Sequence, residues 1–188
     1  MTLRRAGLVY WIIVITVLLI DQATKYLVLL GMPEGASIPL IEGVFHLTHV
    51  QNLGAAFGLL PGRQPLFIAT NVIVLVVIAA YWRRSRPTQL PIVLALALIT
   101  GGSVGNAIDR LWRGSVTDFF DFTLIDFPVF NIADSAILTG VAILIGWLLF
   151  VPEPATAPGA TIDDPGATET GELSADGADS SASNESNR

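Results

Sequence analysis

The sequence AGLVYWIIVITVLLIDQATKYLVLL, residues Ala6 to Leu30, decides the class of this protein. A helix needs about 20 predominantly apolar residues to cross the hydrocarbon layer of a bilayer, and this segment supplies them. Arg4 and Arg5 precede it, as basic residues precede the apolar core of a signal peptide. However, the core is too long for a signal peptide and no small-residue cleavage site follows it. We therefore predict a retained transmembrane helix.

Three further segments continue this pattern along the chain. They are Pro65 to Trp82, Pro91 to Ile108 and Val129 to Val151, each long and apolar enough to be a span. The composition agrees, because 52% hydrophobic residues and a mean hydropathy of +0.63 over 188 residues are too apolar for an ordinary soluble domain. The predicted fold is an all-α membrane protein whose residues 1–151 form four transmembrane helices.

Basic residues set the expected orientation. Arg4 and Arg5 precede the first span, and Arg83, Arg84 and Arg86 lie between the second and the third. Because Lys and Arg concentrate in the cytoplasmic connections of membrane proteins, we predict that both termini are cytoplasmic. The other two connections then face the extracytoplasmic side, although three basic residues there run mildly against the rule: Arg63, Arg110 and Arg113.

The first outer connection, Gly31 to Gln64, is more than a tether. Its segment Ile38 to Gln51 is rich in β-branched and aromatic residues and is bounded by Gly and Pro. This pattern predicts a small extracytoplasmic β-rich element between spans one and two. The small residues of Gly54 to Gly58 come next and would let a backbone or a ligand approach closely. A flexible turn into the second span is the alternative interpretation of that run.

The last part of the chain differs in composition from the rest. Residues 152–188 carry eight acidic residues and one basic residue, a net charge of −7, which leaves +1 for residues 1–151 out of the total of −6. The sequence pI of 4.7 therefore describes this segment. It contains almost no large apolar side chain, so it cannot bury enough surface to offset its ordering entropy. We predict a disordered acidic cytoplasmic tail.

Several kinds of catalytic centre are excluded by composition. The chain has no cysteine, which excludes disulfides, thiolate metal sites and a cysteine nucleophile. Two histidines, His46 and His49, leave little for a histidine-based metal centre, and neither an HExxH nor a GxSxG pattern occurs. We therefore expect no metal and no cofactor, and acid–base work by carboxylates is the simplest hydrolytic chemistry that remains.

The remaining polar residues fall into four clusters near the ends of the spans, where ionisable groups are expensive and face a partner or a cavity. In the first cluster Asp21 and Lys25 are four residues apart on one helix face, an arrangement that favours an ion pair. A structural pair is favoured over direct chemistry, and Lys25 could also extend outward to the membrane surface. In the second cluster Asn52 precedes Gly54 and is equally well a plain turn residue.

The third cluster closes span three. Gly101 and Gly105 form a small-residue face for close helix packing. Asn106, Asp109 and Arg110 share a helix face, so we expect their polar groups to form one network at the outer end of the span.

Two further acidic residues are candidates for chemistry, one within the second outer connection and one just after it. Asp118 lies in an aromatic segment that would sit in the headgroup region, and Asp134 lies in the first turn of span four. A helix cap is the alternative role for Asp134. If the four clusters converge, these two residues can form a carboxylate pair in which one takes a proton from water. The other, kept protonated by the nearby like charge, would polarise a peptide carbonyl.

At these residues the sequence resembles the lipoprotein signal peptidases, or type II signal peptidases, four-span aspartyl proteases of the bacterial inner membrane. The resemblance runs from about Asp21 to Leu138. Five motifs carry it in order: Asp21-Gln22-x-Thr24-Lys25, Asn52-x-Gly54-Ala55-Ala56-Phe57, Gly101-Gly102 with Gly105-Asn106-x-x-Asp109-Arg110, Val116-x-Asp118-Phe119, and Phe130-Asn131-x-Ala133-Asp134-Ser135. Each alone is a weak signal, but five at the expected ends of four spans are specific.

The resemblance implies a catalytic pair formed by Asp118 and Asp134. It also implies eight supporting or substrate-binding residues: Asp21, Lys25, Asn52, Gly54, Asn106, Asp109, Arg110 and Asn131. The implied substrate is a prolipoprotein that already carries diacylglycerol on its lipobox cysteine and is cut just before that cysteine. The implied partners are these substrates and membrane lipids, and no nucleic acid. The resemblance also implies a monomer whose active site lies near the extracytoplasmic face.

Two other classes of function stay open at this level. Intramembrane Asp, Lys and Arg also mark the pathways of small transporters and proton-coupled channels. Against this interpretation, the polar clusters gather at one membrane face, and Val72 to Ala80 and Ala142 to Val151 are uninterrupted apolar runs. A non-catalytic lipid or assembly scaffold is the third possibility, and it predicts that acid-to-amide substitutions are tolerated.

Overall fold

The computed structural model describes residues 1–54, 64–125 and 127–150. This part of the chain contains four helices long and apolar enough to cross a membrane. They are α1 (Leu3–Gly31), α2 (Gln64–Ser85), α3 (Leu90–Trp112) and α4 (Ile132–Phe150). The predicted fold class, an all-α membrane protein with four spans and a small β-rich element, is confirmed. The proposed acidic tail, residues 152–188, and residues 55–58 of the small-residue run lie outside the described residues.

Helix α3 is the centre of the bundle. In its apolar stretch 67% of the residues are buried inside the protein, against 17% in α1, 6% in α2 and 17% in α4. Small residues allow this close packing. A Cβ added at Gly101 would lie 2.9 Å from Val17 Cβ, and one added at Gly105 would lie 2.5 Å from Asp21 Oδ2. The predicted small-residue face is therefore the surface on which α1 packs.

A neighbouring face of α3, about 100° around the helix, packs against α4 through a different glycine. A Cβ at Gly102 would clash with the backbone carbonyl oxygen of Ala133 and lie 2.8 Å from Ile137 Cγ1. Farther along the same interface, a Cβ at Gly140 of α4 would lie 2.7 Å from the carbonyl oxygen of Ala95. The two helices therefore touch backbone to backbone at two levels.

A three-stranded antiparallel sheet joins the two outer connections. Strands β1 (Ser37–Ile41) and β2 (Phe45–Asn52) form the β-rich element expected between spans one and two. Strand β3 (Val116–Asp121) comes from the connection between α3 and α4 and pairs with β2, giving the order β1-β2-β3. Both connections therefore lie at the same end of the bundle.

Aromatic residues attach the sheet to the helices. Phe119 of β3 is 2% exposed and packs with Val28 and Met32 at the end of α1. Because side chains alternate along a strand, burying Phe119 on this side turns the preceding residue, Asp118, to the other face.

The predicted start of span four at Val129 is wrong by three residues. Phe130 is held as a β-bridge to Phe120, with N–H···O distances of 2.7 and 3.0 Å in the two directions, so it cannot be helical. The helix begins at Ile132, directly after Asn131. The predicted end at Val151 lies beyond the described residues.

Candidate active site

A cavity of about 570 Å³ opens where α3, α4 and the sheet meet. One part of its wall is polar and is formed by Asn52, Arg110, Asp118, Asp134 and Ser135. The rest is mainly apolar, with residues 127–130 on one side and α4 residues Ile137, Leu138 and Val141 on the other. The cavity can therefore accept a ligand that combines a polar group with an extended apolar part.

Asp118 enters this cavity from β3 and is only 2% exposed. Its Oδ2 accepts a hydrogen bond from Asn52 Nδ2 at 2.9 Å, and its Oδ1 accepts one from Asn131 Nδ2 at 2.6 Å. The Asn52 amide is itself oriented, because the N–H of Gly54 donates to its Oδ1 at 2.9 Å. The two motif residues Asn52 and Gly54 therefore act together to hold one carboxylate oxygen.

The pKa of Asp118 is raised from 3.8 to about 7. Burial is the largest cause, because removing water disfavours the charged form, and repulsion by the Asp134 carboxylate adds to it. The amide donors of Asn52 and Asn131 oppose the shift, as does the positive charge of Lys25. Near neutral pH Asp118 can therefore hold a proton.

Asp134 enters the cavity from the first turn of α4. Its Oδ2 accepts from the backbone N–H of Asn131 at 3.3 Å, while Asn131 Oδ1 accepts from the N–H of Asp134 at 2.9 Å. This reciprocal pair is a capping arrangement that satisfies two N–H groups at the helix start. Asp134 therefore caps the helix and also lines the cavity, so the two roles weighed for it from the sequence are compatible.

Asn131 connects the two carboxylates. It is fully buried, and its Nδ2 donates to Asp118 while its backbone N–H and Oδ1 engage Asp134. The Nδ2 group also lies 3.2 Å from Asn106 Oδ1. Asn106 in turn donates from its Nδ2 to Asp134 Oδ1 at 2.8 Å. Two asparagines thus hold the carboxylates in a fixed relation.

A buried set of charges supports the site from the α1 side. Asp21, Lys25 and Asp109 are each 0% exposed. Lys25 Nζ lies 2.9 Å from Asp21 Oδ2 and 2.9 Å from Asp109 Oδ2. Asp21 Oδ1 accepts from the backbone N–H of Ala133 at 2.9 Å, which ties α1 to the start of α4. The predicted Asp21–Lys25 pair is present, and Lys25 points into the protein and not outward.

The expected network of Asn106, Asp109 and Arg110 is only partly present. Asn106 and Asp109 both contact Lys25. The Arg110 guanidinium instead lies 5.5 Å from the centre of the Phe67 ring. Among the described residues it reaches only the backbone carbonyl of Asn106, at 3.4 Å. Successive residues are about 100° apart around a helix, so Asp109 faces α1 while Arg110 faces the cavity.

Arg113, which ran against the charge rule, has a structural role. Its Nη1 lies 2.7 Å from Asp109 Oδ1, so this arginine is a second cation for the buried carboxylate.

Two groups of polar residues in the structure were not predicted. Gln22 Nε2 bridges Asp21 Oδ2 and Asp109 Oδ1 at 3.1 and 3.3 Å. Beside Asp118, a second network links the sheet strands. Ser115 Oγ donates to Gln51 Oε1 at 2.7 Å, and Gln51 Nε2 donates to Thr117 Oγ1 at 3.2 Å. Next to it, His49 Nδ1 donates to the carbonyl of Met32 at the end of α1, at 2.8 Å. Gln22 belongs to the first sequence motif without an assigned role. For the second group, a strand pattern does not specify hydrogen-bond partners.

Among residues 1–54, 64–125 and 127–150, no group of three or more His, Cys, Asp or Glu side chains is placed to hold a metal ion. The buried carboxylates of Asp21 and Asp109 are both paired with the Lys25 ammonium.

Known proteins are similar to the part of the chain that contains this site. The model of the signal peptidase (SPase) II family matches residues 13–150. The lipoprotein signal peptidase of Brevibacillus brevis is 49% identical over 136 residues, which cover 72% of this chain and 91% of that protein. The lipoprotein signal peptidase of Halothermothrix orenii is 47% identical over 138 residues, covering 73% and 93%. A solved bacterial membrane enzyme is similar in fold, with a TM-score of 0.71 and 35% identity over 75% of this chain and 87% of that one.

Proposed function

Because the chain belongs to the signal peptidase II family, we propose that it is an intramembrane aspartic endopeptidase whose catalytic pair is Asp118 and Asp134. Membership makes it a multi-pass membrane protease that removes signal peptides from prolipoproteins. The finer proposal is that its substrates are diacylglyceryl-modified and that it cuts just before the lipidated cysteine.

One observation carries the aspartic mechanism: two carboxylates from different elements line one cavity and are joined through a single buried asparagine. Such a pair can share one proton, because two adjacent charges in a buried site repel each other. Asp118 has the raised pKa and is the proposed holder of that proton. Asp134, at a helix N-terminus with two N–H donors, is the proposed ionised partner.

The proposed reaction uses both members. Asp134 accepts a proton from a water molecule while the water oxygen attacks the carbonyl carbon of the scissile peptide bond. Asp118 donates a hydrogen bond to the carbonyl oxygen and stabilises the tetrahedral intermediate. The C–N bond then breaks as the leaving nitrogen receives a proton from the pair, and the new carboxyl group departs with the signal peptide.

The shape of the cavity supports a lipid-bearing substrate. Its polar wall ends at the carboxylates, and its apolar wall continues along Ile137, Leu138 and Val141 of a membrane-spanning helix. A peptide that carries acyl chains would meet the pair while its apolar part remains in the membrane. The arginine distribution supports cytoplasmic termini and a site near the extracytoplasmic face. We further propose that the enzyme works as a monomer in contact with membrane lipids, and that residues 152–188 take no part in catalysis.

Cleavage of a lipidated precursor by the purified protein tests this function. Asp118→Asn and Asp134→Asn keep the shape of the side chain but cannot accept a proton, so we expect turnover to fall by about 10²-fold or more for each. Asp121→Asn is the matched control, since Asp121 lies on the same strand but bonds Thr48 Oγ1 at 2.6 Å. It should cleave within about threefold of the parent, the range of ordinary surface substitutions.

A chelator should leave the parent activity unchanged. Near-parental turnover in either dyad variant would remove the aspartic mechanism and favour the scaffold interpretation. Inactivation by a chelator, reversed by added metal, would place the protein in another catalytic class.

A further inference from the structure

Lys25 is the one fully buried cation of the described residues, and the proposed reaction does not use it. Its ammonium has three neighbours at 2.9 Å: Asp21 Oδ2, Asp109 Oδ2 and Asn106 Oδ1. An ammonium group has three donors and no acceptor. Every donor therefore has an oxygen to face, and the third is the side-chain oxygen of a residue that touches the candidate dyad.

The orientation of the Asn106 amide follows from this contact. An amide has an acceptor at one end and a donor at the other, and a donor-only ammonium can face only the oxygen. With Oδ1 turned to Lys25, Nδ2 points to the other side and donates to Asp134 Oδ1 at 2.8 Å. Asn106 is 4% exposed, so solvent is not available to orient the amide instead.

We propose that Lys25 is a positioning residue that fixes the Asn106 amide and thereby aims the hydrogen bond that Asn106 Nδ2 donates to Asp134 Oδ1. This inference rests on the proposed function, in which Asp134 accepts the proton of the attacking water. Asn131 Nδ2 also donates to Asn106 Oδ1, but at 3.2 Å, and the same group donates to Asp118 Oδ1 at 2.6 Å. Without Lys25 the Asn106 oxygen loses the shorter and charged of its two contacts, so the amide can rotate and turn this oxygen, which cannot donate, toward Asp134.

The other charged groups around Asp134 do not replace this contact. Among the described residues, Asp118 of β3 and Arg110 of α3 line the same cavity as Asp134. Arg110 donates to the backbone carbonyl of Asn106 and not to its side chain. Asp21 and Asp109 are each paired with Lys25, and Arg113 Nη1 contacts the other oxygen of Asp109, Oδ1. Loss of Lys25 therefore removes one positive charge from the buried set beside the site and changes the direction of the Asn106 Nδ2 donor.

The test compares Lys25→Met with Arg113→Gln. Both remove a cation from the same Asp109 carboxylate, but only Lys25 contacts Asn106. For Lys25→Met we expect kcat for a lipidated precursor to fall by about 10- to 100-fold with KM nearly unchanged, as for loss of a hydrogen bond to a charged group. Arg113→Gln should lower the melting temperature and leave kcat and KM near those of the parent.

Lys25→Met also leaves two buried carboxylates with one cation, which can prevent folding. The charge-balanced variant Asp21→Asn with Lys25→Met removes one charge of each sign, and Asp109 keeps Arg113. It should show the same fall in kcat with KM nearly unchanged. A double-mutant cycle adds a further check, because Lys25→Met should cost no additional activity in an Asn106→Ala background if it acts through that amide.

The results separate this inference from the function it rests on. Near-parental turnover of Asp118→Asn or Asp134→Asn would overturn both. If those variants are inactive while the Lys25 variants fold and keep the parental kcat, only the positioning role is overturned. Additive losses in the cycle with Asn106→Ala would overturn it as well.

Discussion

Substitution of Gly102 by alanine tests whether the contact between α3 and α4 sets the geometry of the site. The added Cβ would overlap the carbonyl oxygen of Ala133 and lie 2.8 Å from Ile137 Cγ1. Ile137 can adjust its rotamer, but the carbonyl belongs to the first turn of α4, between Asn131 and Asp134. To reach ordinary contact, that turn must move away from α3 by about 1 Å, the displacement that can cost 10²-fold in rate at a catalytic centre.

The stability cost is the second part of this prediction. Forcing a methyl group into a packed interface costs about 1–3 kcal/mol, and alanine returns part of this because glycine weakens a helix interior by about 0.5–1 kcal/mol. We therefore expect a measurable drop in melting temperature for Gly102→Ala and a fall in kcat of about 10²-fold. Thermal unfolding and cleavage of a lipidated precursor should be followed on the same preparation.

Gly140→Ala is the matched control at the other level of the same interface. Its Cβ would lie 2.7 Å from the carbonyl oxygen of Ala95 and 2.7 Å from Ile99 Cγ1, so its stability cost should be similar. It lies about 10 Å farther along α4 from Ala133, away from the carboxylates. Gly146→Ala, with nothing within 4 Å of the added Cβ, should be neutral or slightly stabilising. If Gly102→Ala and Gly140→Ala lose stability equally and both cleave like the parent, the close contact at Gly102 does not set the site.

Three further outcomes are expected. Turnover should fall as the pH rises through about 7, where Asp118 loses its proton. In Asn52→Ala this alkaline limb should lie at higher pH, because a donor to the ionised carboxylate is gone. A rate that stays flat to about pH 9 would contradict this. Because the chain lacks cysteine, Ser37→Cys should react with an impermeant thiol reagent in intact cells and Ser85→Cys should not, and the reverse labelling would overturn the proposed orientation. A stop codon after Glu153 should leave cleavage within a fewfold of the full chain, and a hundredfold loss at normal expression would show that the acidic segment takes part.

The sequence was sufficient to predict the four spans, because the length of an apolar run is a strong signal in a membrane protein. It was weaker at the ends of the spans. Hydropathy extends span four back to Val129, because Val129 and Phe130 are as apolar as the helix itself. The start of the helix is set by the pairing of Phe130 with Phe120 and by the cap at Asn131. The first is a tertiary contact and the second is local backbone geometry, and hydropathy reports neither.

The candidate site was predicted as a set of residues but not as a set of contacts. Helix periodicity correctly gave the Asp21–Lys25 pair, since both partners lie on one helix. It grouped Arg110 with Asp109, whereas the partners of Asp109 are Lys25 and Arg113. The first of these comes from another helix, and a pattern within one segment cannot specify how neighbouring segments rotate against each other.

The hydrogen bond from the Ala133 N–H to Asp21 Oδ1 spans 112 positions of the chain and has a consequence for biogenesis. A ribosome delivers α1, with Asp21 and Lys25, at the start of synthesis and α4 more than a hundred residues later. Until the last span enters the bilayer and docks, Asp134 is absent and the Asn106 amide has no carboxylate to hold. In the proposed mechanism, which needs both carboxylates, the chain is therefore inert until the final helix arrives and completes the pair.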